Sequence, residues 1–209
     1  MSIAHLEAFL RRRLAGPLPG PDAQRRFAPL PHLPGWSPEQ RPADARRAAV
    51  LLLFYPSHAG VMIPLTVRDT QLPQHAGQIS LPGGAIDPGE SNDAAALREA
   101  SEEIGVRADE VRIAGALSSL WIPVSNFVLT PIVGVTDTRP VFQLRLGEVS
   151  AVIEAPLDHL RDPAHVRWGT RTRRGEPIEY PYIAIDDHVI WGATAMVLGE
   201  AIALFTAER

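Results

Sequence analysis

Cysteine is absent from the 209 residues, which excludes disulfides, thiolate catalysis and thiolate zinc sites. Lysine is absent as well, so all 20 basic residues are arginine; with abundant Ala and Pro, this bias reads as genome composition. No apolar run approaches the roughly 18 residues that a membrane span needs. The longest, Ala48 to Tyr55, is strand-sized. The first residues carry charge on both sides and lack the apolar core of a signal peptide, and the final Ala-Glu-Arg is no peroxisomal address. A net charge of −4 gives no reason to expect a nucleic-acid partner. Hydrophobic content of 45% and charged content of 21% are those of an ordinary globular chain. The expectation is a cytoplasmic protein that associates with neither membrane nor nucleic acid.

What the chain does have is concentrated in one stretch. Gly84-Ala85-Ile86-Asp87-Pro88-Gly89-Glu90 is a glycine-led turn, and Arg98-Glu99-Ala100-Ser101-Glu102-Glu103-Ile104-Gly105-Val106 follows it. Ser91, Asn92 or Asp93 can cap a helix, and Gly105 suits the left-handed residue that ends one. Ala94, Leu97, Ala100 (or Ser101) and Ile104 recur at helical spacing, predicting an inner face opposite the glutamates. Glu99, Glu102 and Glu103 then stack on neighbouring helix surface. Like charges at i,i+4 cost roughly 0.2–0.5 kcal/mol, and acids are misplaced near a helix C-terminus. A bound divalent cation answers both objections, and carboxylate oxygens suit a hard ion such as magnesium. Arg98, four residues before Glu102, is placed to hold that carboxylate. The bland reading is a solvated acidic face.

Residues 1–45 read as an N-terminal arm and residues 46–209 as the main domain. In the arm, Ile3, Leu6, Phe9 (or Leu10) and Leu14 fit an amphipathic helix; Pro17 to Pro42 form a proline-rich stretch that wraps the surface or links the two parts. Ala48–Tyr55 and Val61–Val67 read as a hairpin, and Ile79-Ser80-Leu81 as a strand entering the glycine turn. Val111–Trp121, Phe127–Val135 and Val149–Ala155 read as later strands, followed by a helical turn at Pro156–Arg161. Val166–Thr172 and Ile178–Ile185 read as a second hairpin, and Gly192 or Thr194 to Ala207 as a helix. Strands on both sides of one helix, with another helix at the end, predict an α/β fold, a mixed sheet sandwiched by helices.

The acidic stretch resembles the Nudix box: Gly, five residues, Glu, seven residues, Arg-Glu, an apolar residue, any residue, Glu-Glu, any residue, Gly, apolar. Gly84, Glu90, Arg98, Glu99, Glu102, Glu103, Gly105 and Val106 fall in register, with Ala100 smaller than the usual apolar residue. The resemblance implies the Nudix fold, an α/β/α sandwich, and metal-dependent hydrolysis of a nucleoside diphosphate linked to another group. It implies Mg2+ or Mn2+ held by Glu99, Glu102 and Glu103 with the Gly84 carbonyl. Glu103 or Glu99 is the candidate base, Glu148 and Glu154 are further candidates, and Arg98 orients a glutamate.

The segment before the box is similar to the motif of the coenzyme A pyrophosphatase branch: Leu-Leu-Thr-x-Arg-Ser/Ala, three residues, Arg, three residues, Gly, three residues, Phe-Pro-Gly-Gly. Thr66, Arg68, Gly77, Pro82, Gly83 and Gly84 are in register, and His75-Ala76-Gly77-Gln78 and Ile190-Trp191-Gly192-Ala193-Thr194-Ala195 also match. Asp69, Pro73 and Leu81 depart from it. The resemblance implies substrate contacts at Arg68, His75, Gly77, Gln78 and Gly83, and cleavage of coenzyme A to 3′,5′-ADP and 4′-phosphopantetheine. For Arg68 the other reading is a salt bridge to Asp69 or Glu90; for His75 and Gln78 it is loop-fixing hydrogen bonds. Trp121, Trp168 and Trp191 read as core residues before stacking platforms. ADP-ribose, NADH or another nucleoside diphosphate derivative is the alternative substrate, and a catalytically silent nucleotide sensor the alternative class. The expected partner is a small-molecule nucleotide, with a homodimer left open.

Overall fold

A strand that is apolar from Ala48 to Tyr55 without alternation needs cover on both faces. In the computed structural model, which describes residues 1–71, 77–173 and 175–206, it receives that cover. The elements in chain order are α1 (Ile3–Leu14), α2 (Gly20–Arg25), β1 (Arg46–Ser57), β2 (Gly60–Arg68), β3 (Ile79–Ser80), β4 (Gly83–Ala85), α3 (Asn92–Ile104), β5 (Arg112–Ala116), β6 (Leu120–Ile122), β7 (Phe127–Val135), β8 (Val149–Pro156), α4 (Leu157–Arg161), β9 (Val166–Arg173), β10 (Glu176–Ile185), β11 (His188–Trp191) and α5 (Gly192–Thr206). Ala48, Val50, Leu52 and Phe54 of β1 join a core with Leu6 and Leu10 of α1 and Met196, Val197, Leu198, Ala201 and Leu204 of α5. Ala49, Leu51, Leu53 and Tyr55 join a second core with Ala95, Ala96, Ala100 and Ile104 of α3. Alternate side chains of one strand thus feed opposite faces, giving helix, sheet and helix layers.

The sheet is mixed. β1 runs parallel to β7, from Arg46 opposite Phe127 to Phe54 opposite Val135, and antiparallel to β2 and β4. Eight strands make this sheet, with β8 added to β2, and β9 to β11 form a separate antiparallel sheet of three strands. No helix among the described residues is long and apolar enough to cross a membrane.

Three regions differ from the sequence expectation. Val111–Trp121 is two strands, because Gly115 shifts the register against β7 and the Ser118 N–H turns away to the buried Glu200 carboxyl, 3.1 Å off. β11 follows β10 after Asp186-Asp187, a two-residue connection with Asp186 at φ 48°; such turns accept Asp at positive φ. The proline-rich stretch does more than wrap the surface. It contains α2, and Gln24 and Ala28 are buried. Glu200 of α5, fully buried, accepts from Gly20 N (3.2 Å), Ser118 N (3.1 Å) and Gln24 Nε2 (2.8 Å).

That junction carries a stability prediction. Glu200→Ala strips three buried donors of their acceptor, at about 1–3 kcal/mol each where no water replaces it. Urea unfolding of the variant is expected to show a loss of about 3 kcal/mol or more; a change under 1 kcal/mol would mean that water fills the junction.

Candidate active site

The site begins with helix α3. Ser91 caps it by accepting from Ala94 N at 3.2 Å, and Gly105 ends it at φ 73°. The Gly105 N–H donates to Ser101 O (3.0 Å), the bond of a left-handed helix end, and the Val106 N–H to Ala100 O (3.3 Å). The helix is rotated from the expected inner face. Ala94 is exposed and Leu97 half-buried, whereas Ala95, Ala96, Ala100, Glu103 and Ile104 are buried. Small alanines let α3 lie close to the sheet on that side, and this places Glu103 inward, apart from its two partners.

Glu103 is 3% exposed, and its carboxyl accepts the Gly83 N–H at 3.1 Å. Burial pushes its pKa up to about 7; the Gly83 N–H and the positive charge of Arg68 oppose the rise, while Glu148 and Glu99 add to it. Glu99 lies against the backbone of Gly84, where a Cβ would sit 2.6 Å from its carboxyl carbon. Gly83 is constrained more severely. At φ 153° its absent Cβ would come 2.6 Å from the Cα of Val50. Both glycines are fixed by β4 pairing with β1, Val50 opposite Gly83 and Ala49 opposite Gly84.

Arg98 is spent on positioning. Its Nε donates to Glu90 Oε1 (2.9 Å), Nη1 to Glu99 Oε1 (2.9 Å), and Nη2 to Glu90 Oε2 (3.0 Å) and the Ala85 carbonyl (3.1 Å). The arginine holds Glu99 and Glu90 more closely than Glu102, which is 3.6 Å away. Glu90 also accepts the Asp87 N–H, and these bonds, the Arg98 guanidinium first, keep its carboxyl below the usual range. The turn, the helix and the Glu99 carboxylate are thereby locked together.

Two residues from the segment before β8 complete the surroundings. Arg145 pairs with Glu102 (3.2 Å) and Glu148 (3.2 Å), and its backbone N–H donates to the Glu103 carbonyl (2.9 Å). Sequence reading offered Glu148 as a candidate base and missed Arg145. The available signal was Arg145 and Glu148 at i,i+3 around Gly147, next to a strand start. Glu154 is engaged elsewhere: Arg139 grips it at 2.8 Å and Tyr55 donates to it at 2.8 Å. The Arg139 guanidinium holds its pKa below the usual range.

In the loop before the box, Arg68 N donates to Gln78 O (3.0 Å) and Gly77 N to Arg68 O (3.1 Å), with Gly77 at φ 67°. This pair closes the loop at its base and puts Arg68 where its charge reaches Glu103. Among the described residues no ion pair joins Arg68 to Asp69 or Glu90. His75 and Pro73 lie outside the described residues. Asp69 accepts the Gln71 N–H at 2.8 Å, and Leu81 is buried in the core with Leu65 and Ile79. Trp121 donates to Asn126 (3.1 Å), Trp191 lies under Arg171 (4.4 Å), and Trp168 is exposed.

The donor set suits a hard divalent cation. Carboxylates are the oxygen donors that such an ion prefers, and here arginines balance part of their charge. As they stand, no three carboxylate or imidazole groups among the described residues converge on one point, since Arg98 and Arg145 draw Glu99 and Glu102 aside.

Known proteins resemble the chain over most of its length. The NUDIX domain model matches residues 45–166. A protein of Photorhabdus laumondii called "Uncharacterized Nudix hydrolase NudL" is 32% identical over 162 residues, 77% of this chain and 86% of that one. "Nudix hydrolase 3" of Caenorhabditis elegans is 32% identical over 69% of this chain and 67% of its own length. Among solved structures, the Nudix hydrolase RenU of M. smegmatis superposes with a TM-score of 0.51 at 19% identity, covering 78% of this chain and 83% of that chain.

Proposed function

The chain belongs to the Nudix hydrolase family, whose members act on small nucleotide substrates and generally use divalent metal ions; from that premise we propose that it hydrolyses the diphosphate of coenzyme A or a close relative. Water adds to one phosphorus, the bridging P–O bond breaks, and coenzyme A yields 3′,5′-ADP and 4′-phosphopantetheine. The observation that carries this reading is the placement of Arg68. Arg68, bonded through its backbone to Gln78 and Gly77, carries a positive charge that acts on Glu103, which supports reading the motif resembling the coenzyme A branch and the acidic helix as parts of one site.

The departures from that motif fit the same reading. Asp69 caps a turn inside its own loop, and Leu81 fills core space; both hold structural places. Pro73 is the departure that favours the second reading, ADP-ribose or NADH, because an arginine able to grip a phosphate in two bonds is missing there.

Glu99, Glu102 and Glu103, with the Gly84 carbonyl, are the residues that would hold Mg2+ or Mn2+. Such an ion neutralises phosphate charge and lowers the pKa of an attacking water. The chain's own residues do the rest. Arg98 fixes Glu99, Gly83 and Gly84 let the backbone approach the phosphates, and Arg68 binds the diphosphate charge. Glu103, buried against Gly83, and Glu99 are the candidates to accept the proton, with Glu148 nearby.

The test is incubation with Mg2+ or Mn2+ and a panel of coenzyme A, acyl-coenzyme A, ADP-ribose and NADH, with products identified by mass. Coenzyme A or its acyl forms are expected to give the highest kcat/KM. Preference for ADP-ribose or NADH would overturn the substrate, and binding without turnover on every member would make the protein a sensor. On the preferred substrate, Arg68→Ala is expected to raise KM about tenfold with a smaller change in kcat, the pattern of lost uniform binding. An unchanged KM removes Arg68 from the substrate site.

A further inference from the structure

Arg145 is anchored at the site yet loosely held within it. Its main-chain N–H bonds to the carbonyl of Glu103, and its own carbonyl accepts from Glu148 N and Val149 N, each at 3.1 Å. The side chain is therefore tethered beside the acidic helix whatever its rotamer. Its guanidinium is 3.2 Å from both Glu102 and Glu148, and the side chain is 54% exposed. Arg98, by contrast, is 29% exposed and meets Glu90 and Glu99 at 2.9 Å. Charge-assisted bonds at full strength run about 2.7–2.9 Å, and exposed ion pairs contribute only about 0–1 kcal/mol each. Arg145 is thus a cation that can let go, at the edge of an open cleft of about 460 Å³ that it lines with Ser101, Glu102, Gln143 and Leu144.

We propose that Arg145 is an exchangeable counter-cation: it neutralises Glu102 and Glu148 before a metal binds and transfers to the substrate's diphosphate when a divalent ion takes Glu102. The inference rests on the metal-assisted reading above. Two cations cannot share Glu102 without repulsion, so loading the site releases the guanidinium. A diphosphate beside it then offers the planar, two-oxygen partner that guanidinium geometry fits. Arg145 also keeps the empty cluster from repelling itself. Its role is to bind the diphosphate, and Arg98 keeps the separate task of fixing Glu99.

The experiment is a Mn2+ titration of the full chain without substrate, followed by electron paramagnetic resonance, beside steady-state kinetics on the preferred substrate. Arg145→Ala is expected to bind Mn2+ roughly two- to fivefold more tightly, the worth of the exposed pair with Glu102. Its KM is expected to rise about tenfold with kcat changed less. Arg145→Lys restores the charge, so Mn2+ affinity returns toward the parent value while KM stays raised, because an ammonium cannot make the paired bonds. Arg145→Gln keeps part of the stem and repeats the titration should the alanine variant fold poorly. An unchanged Mn2+ affinity or an unchanged KM in Arg145→Ala overturns the proposal. A Glu99→Gln/Glu103→Gln variant separates the two ideas. If it binds Mn2+ like the parent, the carboxylate site itself is wrong and this proposal falls with it. If it loses Mn2+ while Arg145→Ala changes nothing, only the exchange is wrong.

Discussion

Glu103→Gln is expected to lose about 10³-fold or more in turnover and yet to be more stable than the parent in metal-free buffer at pH 8. Both effects come from one buried carboxyl. A glutamate whose folded pKa is raised to about 7 from 4.5 contributes most favourably below the unfolded value, where it is protonated in both states. That contribution is lost as pH rises through about 7, because only the folded state resists ionisation. The difference is worth roughly 3 kcal/mol above pH 8. Glutamine keeps an acceptor for the Gly83 N–H and never ionises, so it escapes the loss. Urea unfolding in EDTA is expected to show the two proteins equal near pH 4.5 and separated by that amount at pH 8. Saturating Mg2+ should narrow the gap by stabilising the parent. Equal stability at both pH values would show that Glu103 is solvated, and near-parent turnover would remove it from the metal and proton roles.

Adjacent glycines should respond in opposite ways. In Gly83→Ala the new methyl meets the Cα of Val50 at 2.6 Å, and the backbone sits at φ 153°. Neither obstacle can move without dragging β1, whose flanking residues feed both cores. The expected loss is about 3 kcal/mol or more. In Gly84→Ala the nearest obstacle is the Glu99 carboxylate, 2.6 Å away, the end of a side chain that can swing aside. The fold should survive while Glu99 leaves its place between Arg98 and the turn. A displacement of about 1 Å at a reacting centre can cost about 10²-fold in rate. Urea melts and kcat on both variants check the contrast; a stable Gly83→Ala or a fully active Gly84→Ala would break it.

The legible features were those written locally. Ser91 and Gly105 bound the acidic helix because caps depend on a few neighbouring residues. Phe127–Val135 forms β7 as expected because its β-branched and apolar residues outweigh Pro131 and Gly134. Helix rotation was less legible: with alanine at positions 94, 95, 96 and 100, the apolar stripe has weak periodicity, and packing on the sheet decides which side is buried. The break between β5 and β6 depends on a carboxyl at position 200. Arg145 reaches the site through a backbone bond to Glu103, and no spacing in the chain announces such a contact. The burial of Gln24 and Glu200 was hidden for a related reason, since each reads as surface until the other is placed.

That pairing has a consequence for a cleaved chain. A cut between Arg26 and Asp44 severs the covalent path from α2 to β1, but Leu6 and Leu10 remain in the core and Gln24 remains on Glu200. Trp36 and Arg41 add bonds from that stretch to Trp121 and Ser119. The two pieces are held as subunits of a complex would be, by buried apolar surface and a buried hydrogen bond. A nicked molecule should therefore run as one particle in native buffer and separate only in denaturant, and the arm, supplied as a separate peptide, would act as a ligand for the rest.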